Sequence, residues 1–465
     1  MTSAQSPRVA VLGLDGLPWS LAQRMMEDGI VPNLASLARE SAAGPLDSVA
    51  PTVSSVAWTS FNTGVQPGKH GLYGFVKRAP GSWDIGICDT GDIARPMMAE
   101  AVSQSGGAAF MMNVPVSTPP REIDGVMVGC FLSSDLDRAV TPPAEAETLR
   151  SLNYRIDTDP MLARRDKAAM LEDIRATVTA RIDAALHYIK QRRWDFFHVH
   201  VMATDRLNHF LLAQALNGGE LGEAFFDCYR FIDGQVGRLL AALGDAPLVV
   251  LSDHGFEPIE REVQLSQWMV SAGWTAPAEG GAKHPLDVCP ARTRAYHVIP
   301  GQFFLNLEGR EPQGVVPLEE YAAVRQELKS DLLALTDPAT GEAVIDRVWM
   351  REEIFWGEGQ DGPDGAMTSE AVATAGGAFG RAPDLVAEPA SGYDLKMGLG
   401  AQEVYVTTQL EGMHTRRDAT LMTRGVDIPQ APRPWIAGLA APVLGAIGVE
   451  AHGLDGVAAN PCDRN

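Results

Sequence analysis

Asp205 and His209 stand four residues apart in Asp205-Arg206-Leu207-Asn208-His209. On a helix that spacing puts a carboxylate and an imidazole on one face, where both can hold a single cation. Taken alone, such a pair reads far more often as a plain surface pair. Asp253-His254-Gly255-Phe256 follows an apolar run and offers a second carboxylate and imidazole. Adjacent side chains on a strand point to opposite faces, so both address one ion only where the chain turns, and Gly255 allows a turn. The bland alternative is a polar loop with a capping carboxylate, and the same alternative applies to Asp15 after the run Val9–Leu14. His414 lies in the polar patch Glu411-Gly412-Met413-His414-Thr415. Pooled, Asp15, Asp205, Asp253, His209, His254 and His414 form a mixed oxygen and imidazole set of the size a two-metal site needs, suited to zinc or manganese.

The segment Pro51-Thr52-Val53-Ser54-Ser55-Val56-Ala57-Trp58-Thr59-Ser60 crowds hydroxyls where a helix should begin. Thr52 and Ser55 read as N-capping residues. A serine at such a place can also be a nucleophile, since a neighbouring metal lowers its pKa and the helix start favours an incoming anion.

These residues need elements to bring them together. Val9–Leu14 is an unbroken apolar run ending in Asp15-Gly16, and the same construction recurs at Asp195–Val201 before Thr204-Asp205 and at Pro247–Leu251 before Ser252-Asp253-His254. Runs of this kind read as buried strands whose carboxyl ends carry acidic groups, the edge where open α/β sheets bind ligands. Helical patterns at Ser20–Ser41, Arg95–Ser105, Lys167–Arg192 and Gly219–Leu243 alternate with the strands. The expected fold is therefore α/β, a mostly parallel central sheet with helices on both faces. Residues 257–395 break the rhythm, being irregular and rich in Gly, Pro and Ala apart from a helix at Leu318–Leu335. They read as a cap or insertion, with 357–382 a mobile loop. The expected division is a core of 1–256 and 396–465, with 257–395 as the cap.

With 465 residues, 45% hydrophobic, the chain can bury a large core. A formal charge of −21 opposes binding to nucleic acid polymers and to anionic membrane surfaces, yet leaves room for a small phosphate ester at a bound metal. The five cysteines, Cys88, Cys130, Cys228, Cys289 and Cys462, are odd in number and scattered, which reads as reduced thiols. No leader-like or membrane-spanning run is visible, so the expected location is cytoplasmic, with no membrane partner.

The ordered set of motifs resembles the alkaline phosphatase superfamily, specifically its type I phosphodiesterase and nucleotide pyrophosphatase branch. The matching residues are Asp15, Pro51-Thr52-Val53-Ser54, Thr63-Gly64-Val65-Gln66-Pro67-Gly68-Lys69-His70-Gly71, Asp205 with His209, Asp253-His254-Gly255, and His414. The resemblance implies an alkaline-phosphatase-like core and two divalent metal ions. It places Asp15, Ser54, Asp253 and His254 on one and Asp205, His209 and His414 on the other. It also implies that Ser54 is the catalytic nucleophile, forming a phosphoseryl intermediate, with a small-molecule phosphate ester as substrate. Phe75 stands where the nucleotide pyrophosphatases place a phosphoryl-holding Asn, so Asn113, Lys77 and Arg78 become the substrate-binding candidates. Val56 and Trp58 stand where a sulfatase needs Pro and Arg, and the second domain of a cofactor-independent phosphoglycerate mutase is not visible. With no Lys or Arg beside Ser54, and Arg206 expected to point away from its neighbour Asp205, a diester or nucleotide-type phosphoanhydride is favoured. A phosphomonoesterase, or a non-catalytic binding protein on the same fold, is the alternative.

Overall fold

The computed structural model describes residues 6–79, 81–159, 161–280, 282, 284, 286–356, 369–429, 431, 433–457 and 460–463. The chain packs as two units, one formed by residues 1–65, 89–258 and 409–460, the other by 66–88, 259–408 and 461–465. Residues 66–88 thus belong with the second unit, although they precede most of the first in the chain.

The first unit is built on an eight-stranded sheet. Numbered along the chain, its strands are β1 (Val9–Leu14), β2 (Ala42–Leu46), β3 (Ala109–Met112), β4 (Gly125–Val128), β5 (Val140–Thr141), β6 (Phe196–Val201), β7 (Leu248–Leu251) and β8 (Ala419–Arg424). The order across the sheet is β2-β8-β7-β1-β6-β3-β4-β5. The five strands β7-β1-β6-β3-β4 are parallel, while β8, β2 and β5 pair antiparallel. A parallel strand is covered on both faces, which is why β1, β6 and β7 are apolar runs without alternation and are buried throughout. On one face Leu12, Leu14, Val199 and Val250 join a core with residues of the helices Lys167–Tyr188, Ala203–Asn217 and Gly222–Leu243. On the other, Trp58 and Phe61 of the helix Ser54–Thr63 pack on His198 with ring centroids 5.8 Å away.

The helical pattern at Ser20–Ser41 forms two helices, Trp19–Glu27 and Pro32–Arg39. Gly29 at φ 70° and Pro32 as the first helical residue end one and start the next.

The second unit holds a four-stranded sheet of Ala295–Ile299, Gln302–Leu305, Leu385–Pro389 and Ile345–Met350, a three-stranded sheet of Tyr393–Lys396, Arg261–Gln264 and Tyr405–Val406, and the hairpin of Val76–Arg78 with Ile85–Ile87. Its core gathers Tyr321, Leu328 and Leu332 of the helix Tyr321–Leu333 against Phe303, Leu305 and Val348. Within the stretch expected to be a mobile loop, Ser369–Thr374 and Gly377–Gly380 are helical, while 357–368 lie outside the described residues. Val372, Ala373 and Phe379 are buried, and burying these apolar groups supplies the order that the small-residue composition did not suggest.

Candidate active site

Three adjacent parallel strands deliver the acidic groups. Leu14 pairs with Val201 and Gly13 with Leu251, so Asp15, Asp205 and Asp253 all follow the carboxyl ends of neighbours in the sheet. The helix Ala203–Asn217 then carries Asp205 and His209 in its first turns. His414 arrives by a different route, on the strand Gly412–Thr415, which pairs antiparallel with Gly255–Pro258 and sets His414 against Phe256. The rings of His254 and His414 are stacked with centroids 3.6 Å apart. Gly255 is needed here for space rather than for a turn, because a Cβ would stand 2.5 Å from the Arg417 carbonyl oxygen and from Thr415 Oγ1. Its φ is not in the left-handed region that glycine alone favours.

The protonation of the histidines follows from their backbone partners. His209 Nδ1 lies 2.9 Å from the Gly412 carbonyl, His254 Nδ1 3.1 Å from that of Gly255, and His414 Nδ1 3.3 Å from that of Thr52. A carbonyl only accepts, so each Nδ1 carries a hydrogen, and in the neutral ring Nε2 then presents a lone pair. Yet His209 Nε2 and His414 Nε2 stand 3.0 Å apart, and Asp205 Oδ1 lies 3.4 and 3.3 Å from them. That oxygen is buried and accepts no hydrogen bond among the described residues. Converging lone pairs without a proton between them repel, and a cation resolves the conflict.

The same logic holds beside it. His254 Nε2 lies 3.3 Å from Asp253 Oδ2, another buried oxygen with no donor, 3.7 Å from Asp15 Oδ1 and 3.4 Å from Ser54 Oγ. Asp205, His209 and His414 make one cluster of donor atoms within 4.8 Å of one another, and Asp15, Asp205 and His254 make another. Asp205 is common to both, whereas the family resemblance gives it to one ion only. The residues fit a pair of divalent cations. Burial, and next the Asp15 charge, push the Asp253 carboxyl well above its usual range. Burial, with His414 adding to it, holds His254 well below 6.5, and burial brings His209 to about 4. Both rings are therefore neutral at pH 7, the form that binds metal.

Ser54 opens the helix Ser54–Thr63, is 4% exposed, and places its hydroxyl 3.3 Å from Asp15 Oδ1. The cap is Val53, extended and without a side-chain bond, so no side chain occupies the amides of the first turn. Thr52 and Ser55 do not cap this helix: Thr52 Oγ1 donates to the Val49 carbonyl, and Ser55 Oγ is buried with no partner among the described residues.

The polar and basic residues singled out in the sequence have structural partners. Asn113 is buried after β3, and its amide nitrogen donates to Tyr154 Oη at 3.1 Å and to the Ile156 carbonyl at 2.5 Å, a structural use of the side chain. Lys77 and Arg78 belong to the second unit, where Arg78 pairs with Glu311 at 2.7 Å. Arg206 does not point away from its neighbour. It donates to Asp157 at 3.0 Å and holds a second guanidinium nitrogen 3.7 Å from Asp205 Oδ2, because the first helical turn leaves room for the long side chain to fold back.

Two residues were missed in the sequence. Trp58 Nε1 and His200 Nε2 each donate to Asp15 Oδ2 at 2.8 Å, and all three side chains are fully buried. This fixes the carboxylate so that Oδ1 faces Ser54 and His254. Gly13 makes it possible, since a Cβ there would come within 2.5 Å of the Trp58 ring. His200 alternates with His198 along an otherwise apolar strand, and that pattern was the available signal.

The type I phosphodiesterase / nucleotide pyrophosphatase family model matches residues 9–416. The chain belongs to this family. As a type I phosphodiesterase/nucleotide pyrophosphatase it is a hydrolase acting on phosphoric ester bonds. The fold is shared with the phosphonoacetate hydrolase of Sinorhizobium meliloti 1021, solved with phosphonoformate, at 17% identity and TM-score 0.61, covering 96% of each chain. It is shared too with murine ectonucleotide pyrophosphatase/phosphodiesterase 5, of which an inactive threonine-to-alanine variant was solved with AMP, at 12% identity and TM-score 0.55, covering 97% of each chain. The human counterpart aligns at 12% identity and TM-score 0.53, covering 97% of each chain. No curated protein sequence is significantly similar to the chain. Among the described residues no helix is long and apolar enough to cross a membrane.

Proposed function

We propose that this hydrolase cleaves a phosphodiester or a nucleotide-type phosphoanhydride in a small molecule, with Ser54 as nucleophile. The observation that carries the reading is the convergence of unprotonated histidine nitrogens and donorless carboxylate oxygens on the side where Ser54 Oγ sits. Asp15, Ser54, Asp253 and His254 would hold one divalent cation, and Asp205, His209 and His414 the other. Zinc suits the mixed imidazole and carboxylate donors best and manganese next; when bound, the pair would lower the pKa of the serine hydroxyl and neutralise phosphoryl charge.

The rest falls to the chain. Ser54 Oγ attacks phosphorus in line, the bond to the leaving oxygen breaks, and a phosphoseryl group forms. Water then attacks that phosphorus, Ser54 Oγ departs, and the configuration at phosphorus is retained overall. The uncapped amides at the start of the serine helix orient the phosphoryl oxygens. Trp58 and His200 keep Asp15 aimed. Peptide mass analysis of acid-quenched turnover should find phosphate on Ser54; its absence there during steady turnover would refute the covalent route.

A monoester remains the second reading, favoured by Arg206, whose guanidinium beside Asp205 supplies the cation that a dianionic phosphoryl group requires. Comparing bis(4-nitrophenyl) phosphate with 4-nitrophenyl phosphate separates the two, a tenfold preference for the monoester in kcat/KM assigning the enzyme to phosphatases.

A further inference from the structure

The turn that follows β1 leaves three successive carbonyls outside the backbone ladder. The chain turns at Gly16, φ 62°, and no backbone N–H among the described residues reaches the carbonyl oxygens of Asp15, Gly16 or Leu17, although all three residues are buried. Buried carbonyls need donors, and here side chains supply them. Thr204 Oγ1 donates to the Asp15 carbonyl at 2.6 Å and Asn208 Nδ2 to that of Gly16 at 2.7 Å. Ser252 Oγ and Thr420 Oγ1 donate to that of Leu17 at 2.7 and 2.9 Å. Thr204, Asn208 and Ser252 each immediately precede a member of the candidate site, Asp205, His209 and Asp253. Tyr229 Oη donates in turn to Asn208 Oδ1 at 3.1 Å, which orients the amide.

Such side chains are more often used locally, as the serine helix shows: Thr59, Asn62 and Thr63 give their donors to carbonyls of their own helix four residues back. Thr204 and Asn208 reach another element instead. Four residues apart, they share the face beside that of Asp205 and His209, since neighbouring helix residues are turned by about 100° from one another. Two bonds spaced one helical turn apart, on two consecutive carbonyls, fix both the rotation of the helix Ala203–Asn217 about its axis and its position along that axis. Asp15 belongs to one cluster of donor atoms, His209 to the other and Asp205 to both, so the register of this helix sets how far apart the clusters stand. On the two-cation reading above, on which this rests, we propose that Thr204 and Asn208 are positioning residues that hold the spacing between the two cation sites.

Zinc affinity of the full-length protein, by competition with a chromophoric chelator, tests it, with the melting temperature of metal-free protein read beside it. Thr204→Val keeps the shape and removes the donor, and Asn208→Leu does the same for the amide. Each should weaken at least one of the two zinc ions roughly tenfold or more, and the rise in melting temperature that zinc gives the parent protein should shrink. Thr204→Ser, which restores the hydroxyl, should stay within about threefold of the parent. Thr275→Val is the structural comparison, since Thr275 is also buried and its Oγ1 donates to the Ala295 carbonyl at the same 2.6 Å, in the second unit. It should lower the melting temperature of metal-free protein and leave both zinc affinities alone. If Asn208→Leu does not fold, the two Thr204 variants decide. Zinc affinities unchanged in Thr204→Val, or an equal loss in Thr204→Ser or Thr275→Val, would overturn the proposal while the parent still binds two ions. A parent that binds fewer than two ions removes the two-cation reading, and the proposal with it.

Discussion

The metal-type centre of the first unit and a cavity wall of the second handle buried charge in different ways. In the first, buried acceptors outnumber protons: Asp205 Oδ1 and Asp253 Oδ2 have no donors, and His209 and His414 face each other through lone pairs. In the second, basic groups on the cavity wall meet buried carboxylates: Arg310 donates to both Asp384 oxygens, and Arg78 pairs with Glu311 at 2.7 Å. The imbalance of the first is too costly to persist in a low-dielectric interior without a reason, and its sign names the missing partner, a cation. An ion pair such as Arg310 with Asp384 is buried just as deeply but balanced, and it holds the fold without asking for a ligand.

The strongest attack on this contrast is at Ser54. Ser54→Ala should lower kcat by on the order of 10⁴-fold while circular dichroism and bound metal change little; retained turnover with loss in Thr52→Ala would move the nucleophile two residues back. Next is the metal itself. Elemental analysis should find close to two divalent ions per chain, and Asp253→Asn should lose one of them preferentially; one ion or fewer in the parent protein would remove the two-metal reading. Smaller effects should follow from Trp58→Phe and His200→Gln, which leave every ligand in place but free Asp15 to rotate. Zinc affinity by competition with a chelator should fall by roughly 10- to 100-fold, and unchanged affinity would show that Asp15 needs no such support.

Arg206→Gln sharpens the substrate question. If the guanidinium serves a dianion, kcat/KM for 4-nitrophenyl phosphate should drop by about tenfold relative to bis(4-nitrophenyl) phosphate, about 1.4 kcal/mol. An equal drop for both would leave Arg206 only a structural partner of Asp157.

The mildest test concerns acid stability of the second unit. Burial lowers His297 to about 3, and burial together with the Arg381 charge does the same for His70. Both folded values lie below the unfolded 6.5, so between pH 6.5 and 3 the unfolded chain binds the extra protons and stability falls as pH falls. Each ring contributes up to about 1.4 kcal/mol per pH unit in that window. Urea unfolding at pH 7, 6, 5 and 4 should show the decline, with His297→Gln flattening it; a slope unchanged by that substitution would contradict the assignment.

The sequence by itself was enough for the strands and their acidic ends, because burial on both faces forces apolar runs and leaves the first polar residue after each run conspicuous. It was enough, too, for the i and i+4 pairing of Asp205 with His209, which is local helix geometry. The helix beginning at Ser54 was legible for the same reason, but its cap was not. Thr52 and Ser55 have capping side chains, and the choice of Val53 depends on how the incoming chain meets β1 and the strand bearing His414. That strand itself was out of reach, since pairing Gly412–Thr415 with Gly255–Pro258 closes a loop of more than 150 residues between Pro258 and Gly412 and leaves no periodic mark at either end. The Trp58 and His200 hydrogen bonds to Asp15, the reach of Arg206, and the gathering of 66–88 with 259–408 were likewise decided by tertiary structure. Sequence spacing sets which side chains share a face of one element; which faces meet is set by packing across the chain, where no local period records it.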